Sequence, residues 1–312
     1  MDSLAFTLPL LIVLLPLSLV CAVTGVLLSA RRQAMLPDAL SHAILPGVIV
    51  AAFLQGGGVN AFTIALGSVV ASVMALSIIR GLVQWTNANP AVALGVTYPT
   101  MLSLGLVLMA VTGLDQTGFD AHTVLFGSLD FLFWPEAMGI LSRQPNDWIS
   151  AVVTSPVGFQ FAILAAAIAV VGIPLMYAGL NEQLFDEQQF QRRGRAGVLM
   201  VEALVLILVT LTAVAAFFVV GAVMAVALFA APAVMARGFA TNLGVWVGGA
   251  MLAAGLCTLV SFSGLILIPE LLLPAFGLDP WLGLQGLSFT GTYAVLTCGL
   301  AIALVLWPRS KT

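Results

Sequence analysis

The chain is a succession of apolar runs, each close to the ~20 residues a helix needs to cross the hydrocarbon core of a bilayer. Charge is almost absent from these runs. A soluble domain carries about 25% charged residues, whereas 7% of these 312 residues are charged and 61% are hydrophobic. That combination specifies a polytopic membrane protein and excludes a large soluble core.

The runs place spans at about 5–29, 37–54, 61–84, 92–113, 159–180, 198–216, 218–237, 243–268 and 287–307. The expected fold is therefore all-α, a bundle of 8–9 transmembrane helices in a single transmembrane domain over residues 1–312. Eight applies if the 198–237 region is partly re-entrant or one helix is broken. Basic residues orient the bundle. Arg31, Arg32, Arg80, Arg192, Arg193, Arg195, Arg237, Arg309 and Lys311 fall on one side when the spans alternate, and Arg143 alone lies opposite. The N-terminus is then expected outside and the C-terminus in the cytoplasm of a multi-pass plasma-membrane protein. The first span has no basic segment before it and no small-residue cleavage site, so it reads as retained.

The single lysine, Lys311, stands next to the last residue, so a Walker A sequence ending in GK[ST] is excluded. If ATP drives this protein, another chain binds it. No HExxH is present either, which argues against a zinc protease of that type. Cys21, Cys257 and Cys298 are scattered through apolar runs and read as buried small hydrophobes, not as a metal or disulfide framework.

Between the fourth and fifth spans, the outward segment 114–158 carries Asp115, Asp120, Asp130, Glu136 and Asp147 against Arg143. Within it, FDAHTVLFGSLDFLFW is too polar and short for a span and reads as an interfacial or re-entrant helix. Asp120 and His122, two residues apart, form a possible outer-mouth contact for a cation. The alternative is a surface or interfacial histidine, because Asp-x-His converges poorly on a helix.

The most informative polar turn is Leu36–Gly47, LPDALSHAILPG, embedded between oily runs. Asp38 and His42 stand four residues apart, so a helix stacks carboxylate and imidazole on one face with Ser41 beside them. Ionisable groups inside a membrane segment are costly and point to function. A capping reading competes: Asp38 after Pro37 suits an N-cap, with Ser41 at N3. It leaves His42 without a role.

Two other stretches carry alternatives. The cytoplasmic loop 181–197 contains FDEQQFQRRG, in which Phe185 and Phe190 are apolar points on a solvated helix. Such a helix docks in a partner's groove, or it is an ordinary basic inner loop. Gly221–Ala236, GAVMAVALFAAPAVMA, is rich in small residues that let backbones approach closely. Glu202 reads as a helix N-terminal charge favoured by the macrodipole, with a pathway carboxylate as the other option.

DALSHAILPG resembles the signature helix of permease subunits of bacterial zinc/manganese/iron ABC importers, the metal-ion ABC-3 family. FDEQQFQRRG resembles that family's coupling helix, an FD followed by a glycine eight residues after the Asp, here Asp186 and Gly194; Phe190 stands where a small residue is usual. The Gly221–Ala236 stretch resembles the family's Pro-containing small-residue run. The resemblance implies a homodimeric channel subunit of an ABC importer and no enzyme activity in this chain. It implies a cytoplasmic ABC ATPase holding ATP, an extracytoplasmic metal-binding protein, and no nucleic acid. Asp38 and His42 are the implied metal ligands, and Phe185, Asp186, Phe190 and Gly194 the implied ATPase-coupling residues.

Imidazole and carboxylate together suit Zn²⁺ or Mn²⁺ as transported cargo, with no cofactor bound permanently. One Asp and one His are too few ligands for a closed site. A twofold dimer with this helix near its axis presents two of each. Alternating access around that pair, driven by ATP through 185–194, is the expected mechanism. A secondary transporter driven by an ion gradient is the alternative.

Overall fold

The computed structural model describes residues 2–31, 33, 35–55, 61–87, 89–113, 155, 157–192, 194–267 and 289–306. They form α1 (Asp2–Ala30), α2 (Leu36–Ala43), α3 (Leu45–Leu54), α4 (Ala61–Thr86), α5 (Pro90–Thr112), α6 (Val157–Phe185), α7 (Glu187–Arg192), α8 (Gly194–Arg237), α9 (Leu243–Leu267) and α10 (Phe289–Leu306). There is no strand among the described residues. Among the described residues, six stretches are long and apolar enough to cross a membrane: Leu10–Ala30, Leu66–Thr86, Ala91–Thr112, Gly158–Leu175, Ala196–Gly221 and Leu243–Gly264. Leu45–Leu54, Met224–Arg237 and Gly291–Ala303 are shorter apolar helices. The expected interfacial helix in segment 114–158 lies outside the described residues.

Local chemistry sets several boundaries. The α5 helix starts where Asn89 Oδ1 accepts from the Ala91 N–H at 3.0 Å, with Pro90 at the first helical position, and stops at Gly113 with φ +68°. The expected span 37–54 is two short helices, α2 and α3, meeting at Ile44. Pro46 has no N–H to give to the ladder there, although Ile44 itself keeps helical angles and its N–H reaches the Leu40 carbonyl at 3.0 Å.

At the centre of the bundle, α1 packs against α6, α8 and α9. Its apolar window is 72% buried, against 28% for those of α4 and α5, which identifies α1 as the central shaft and α4 and α5 as outer helices. Polar side chains stitch the shaft to its neighbours. Thr24 Oγ1 and Thr212 Oγ1 of α8 lie 3.2 Å apart, and Thr258 Oγ1 of α9 donates to Ser18 Oγ at 3.0 Å. In an apolar bundle such interhelical bonds hold helices that lipid would solvate equally well on either side.

Within α8 the chain reverses. Gly221 adopts φ 78°, ψ 171°, angles that break the helix and that a side chain would strain. Thr212 touches Thr24, while a Cβ on Gly25 would collide with the Phe229 carbonyl. Unbroken helix would separate Thr212 from Phe229 by roughly 25 Å at 1.5 Å per residue, yet both meet consecutive residues of α1. Two limbs therefore fold back on each other at Gly221 and flank the same turn of the shaft. The sequence reading placed two spans here, parted near residue 217; the break falls at Gly221 because that residue tolerates the angles.

The stripe Tyr293, Thr297 and Ala301 is the buried face of α10, and Cys298 falls off it. Cys21 and Cys257 are buried as expected, but Cys298 is exposed, correcting that part of the reading.

Candidate functional site

Helix α2 is held between α5 and α8, with α4 also in contact. Its eight residues are too few for a stable helix in isolation, so tertiary packing fixes it. Leu40, Ala43 and Ile44 are buried, and Ala43 packs in a small cluster with Ala75 of α4 and Met101 of α5. Where the motif's glycine, Gly47, meets Gly67 of α4, a Cβ on either would run into the other's carbonyl. The LPG ending of the motif thus lets α3 lie directly against α4.

The imidazole of His42 is half-buried and stacks on the ring of Tyr98 of α5, centroids 5.4 Å apart and planes 27° apart. Stacking of this kind contributes ~0.5–1.5 kcal/mol beyond area burial and fixes the ring's orientation. Asp38, described by its backbone, is the third residue of α2, one turn before His42 and on the same face. The helix begins one turn earlier than the capping reading requires. Met35 occupies the N-cap with no side-chain bond, so Asp38 is not the cap. Tyr98 is the residue that sequence reasoning missed; it lies 56 positions beyond His42 in another apolar helix. Asp120 and His122 lie outside the described residues.

A second polar region forms where α6, α7 and α8 meet the end of α1. Asp186 Oδ1 accepts from the Gln189 N–H at 3.0 Å and so caps α7. Gly194, at φ +80°, turns the chain from α7 into α8. The FD-to-glycine spacing therefore has a local cause: one residue starts the short helix and the other ends it. Phe190 departs from its expected role as a point offered to a partner. It is 3% exposed and belongs to the main core with Leu180 and Val201, because it falls on the face of α7 turned toward α6 and α8. Asp186, Gln188, Gln189 and Arg192 are exposed, so the free face of α7 is polar.

Arg31 comes into the same region. Its Nη2 donates to Oε1 of Gln183, near the end of α6. Burial lowers the guanidinium from its ordinary value, and the nearby Glu202 carboxylate of α8 raises part of that back. Glu202 stands more than two turns inside α8, which begins at Gly194, so it is not a terminal charge. The Arg31–Gln183 contact and the fold-back at Gly221 gather residue 31, the 183–194 stretch and Arg237 at one end of the bundle.

Among the described residues no three His, Cys, Asp or Glu side chains cluster to hold a metal. Chemically, α2 offers an oriented imidazole donor one turn from a carboxylate-bearing position. Comparison with known proteins bears on what such a helix serves. The chain is 27% identical over 268 residues to the manganese transport system membrane protein MntD of Bacillus subtilis (strain 168), covering 78% of this chain and 86% of that protein. It is 26% identical over 230 residues to the zinc transport system membrane protein TroD of Treponema pallidum (strain Nichols), covering 72% of this chain and 58% of that protein. The fold is similar to a solved structure, PsaBC from Streptococcus pneumoniae in complex with Fab, with TM-score 0.72 and 20% identity over 99% of this chain and 95% of that one. The bundle of long apolar helices and these relatives agree on a multi-pass membrane permease. The ABC 3 transport family profile matches residues 3–135 and 151–274, both the motif helix and the capped turn included, and the chain belongs to that family.

Proposed function

We propose that this chain is the permease subunit of an ATP-driven importer of a divalent metal, manganese or zinc, with Asp38 and His42 on the ion's route. The observation that carries the reading is α2 itself. An ionisable pair stands one turn apart on a short helix enclosed by α5 and α8, in a chain whose family relatives are named for manganese and zinc transport. A histidine in such a position is costly unless used.

One subunit supplies two donors. A twofold dimer with α2 near its axis supplies two carboxylates and two imidazoles, enough to replace most of an ion's hydration shell without thiolate. Binding without sulfur stays moderate, as release requires. ATP is hydrolysed on a separate cytoplasmic chain, which meets the polar face of α7, and an extracytoplasmic metal-binding protein delivers the ion from the other side. This orientation puts the gathered end of the bundle, with Arg31, Arg192 and Arg237, in the cytoplasm.

The test is uptake of radioactive manganese and zinc, each separately, by cells whose only importer is this chain with its partners. D38A and H42A are expected to abolish uptake while the permease still reaches the membrane. Wild-type uptake by both variants overturns the assignment of the route.

A further inference from the structure

We infer that the main-chain carbonyl of Gly95, released from the hydrogen-bond ladder of α5 by Pro99, is an oxygen ligand beside His42 and favours manganese over zinc. This rests on the reading of α2 as the ion's route.

Three features lead here. The first is a carbonyl without its helical donor. Pro99 stands inside α5 and has no N–H, so the Gly95 carbonyl, four residues before it, lacks the bond that a regular turn supplies. Among the described residues no side chain replaces that bond. The two nearest hydroxyls are spent on neighbouring carbonyls: Thr97 Oγ1 donates to Ala93 at 2.8 Å and Thr100 Oγ1 to Val96 at 2.8 Å. Gly95 lies inside the apolar stretch Ala91–Thr112. At that depth a carbonyl left to lipid is strongly unfavourable, and irregular backbone is kept where it lines a watery route or coordinates a cation.

The second is the surface around it. A Cβ on Gly95 would meet nothing within 4 Å, and Gly95, Pro99 and Ser103 are exposed in one line along α5. That line presents bare backbone, a ring and a hydroxyl. The strip beside it carries Val96, Leu104, Val107 and Val111, as a lipid-facing surface does. Of the two, the open line is the one suited to water and an ion.

The third is nearness to the imidazole. Tyr98 follows Gly95 by three residues, about 4.5 Å along the helix axis. Helical carbonyls point toward the C-terminus, so the Gly95 oxygen lies near the level of Tyr98. Tyr98 in turn stacks on His42, centroids 5.4 Å apart. Oxygen and imidazole therefore border the same residue. An imidazole nitrogen suits zinc and manganese alike, whereas a carbonyl oxygen is a hard donor of the kind manganese takes more readily.

The experiment uses the full permease with its partners in proteoliposomes. Uptake of manganese and, separately, of zinc is measured against concentration for wild type, P99A, P99G and P174A. Alanine or glycine at position 99 restores an N–H that takes the Gly95 carbonyl back into the helix. Both are expected to raise the manganese concentration for half-maximal uptake by about tenfold, the effect of one lost contact to a charged partner. Maximal rate should stay within about twofold and the zinc value within about threefold. The thermal midpoint of P99A should equal or exceed that of wild type, because proline inside a helix is unfavourable. P174A makes the same change on α6, which packs on α1, α7 and α8, and is expected to leave both metals unchanged. An unaltered manganese value in P99A and P99G, equal shifts for the two metals, or the same shift in P174A overturns the inference. Wild type that moves zinc but not manganese overturns it too, while wild type that moves neither refutes the reading of the chain as an importer.

Discussion

Replacing Phe190 by Ala tests whether α7 is anchored to the permease or held out for its partner. Phe190 is 3% exposed within the main core, and Phe-to-Ala changes at such positions cost ~3–5 kcal/mol. Little else holds this helix. Its six residues give it almost no stability of its own, and the Asp186 cap contributes about 1 kcal/mol. The loss exceeds what remains, so the expected result is local opening of α7, with the bundle itself intact. Phe190→Leu keeps most of the volume and is expected to cost less than ~1.5 kcal/mol.

Amide hydrogen exchange on the purified permease reads this directly. At 1.36 kcal/mol per decade, a loss of about 3 kcal/mol speeds exchange over 186–193 by about 100-fold in F190A. The α1 peptides should be unchanged and F190L should sit within about tenfold of wild type. Wild-type exchange over 186–193 in F190A would refute the anchoring. It would return Phe190 to the role of an outward contact, whose loss weakens the ATPase without loosening the free permease.

Two other outcomes follow from the geometry. Gly221→Ala places a Cβ at φ 78°, ψ 171°, a strain of ~1–3 kcal/mol, and should lower the thermal midpoint in detergent, whereas Gly95→Ala, whose Cβ has open space, should not. Tyr98→Ala removes the stack on His42 and should raise the metal concentration for half-maximal uptake about three- to tenfold, while Tyr98→Phe, which keeps the ring, should match wild type.

Much of the molecule was legible because its causes are local. Apolar length specifies the helices, whereas the cap at Asp186 and the left-handed turn at Gly194 behind the noted spacing emerged only with the structure. The reversal at Gly221 was harder to place, because residues 198–237 carry no polar loop to mark a turn, only a glycine among many small residues. Pairings between distant helices left no trace in hydropathy. Nothing about Arg31 announces Gln183, 152 positions away. Glu202 was misassigned because a charge near the start of an apolar run looks like a cap until the helix is seen to begin at Gly194. Phe190 was misassigned for a related reason: on a solvated six-residue helix, an apolar residue reads as bait for a partner unless the chain's own core is known to lie beneath it.

The placement of the polar turn on α2, instead of on one of the long helices, has a mechanical consequence. The shaft α1 is pinned along its length by Thr24 to α8, by Ser18 to α9 and by the close approach of Gly25 to Phe229. Displacing a carboxylate and an imidazole on such a helix requires breaking those contacts together. The α2 helix is only eight residues long and is interrupted at Ile44 before α3 begins, so its orientation follows whatever α5 and α8 do. Its ring is oriented by α5 through Tyr98, while the chain before it leads back within a few residues to Arg31 at the foot of the shaft. A short helix held only by its neighbours can change the exposure of its polar face while the core of the bundle stays packed. That is the property alternating access demands, since packed interiors switch between discrete arrangements and do not bend continuously.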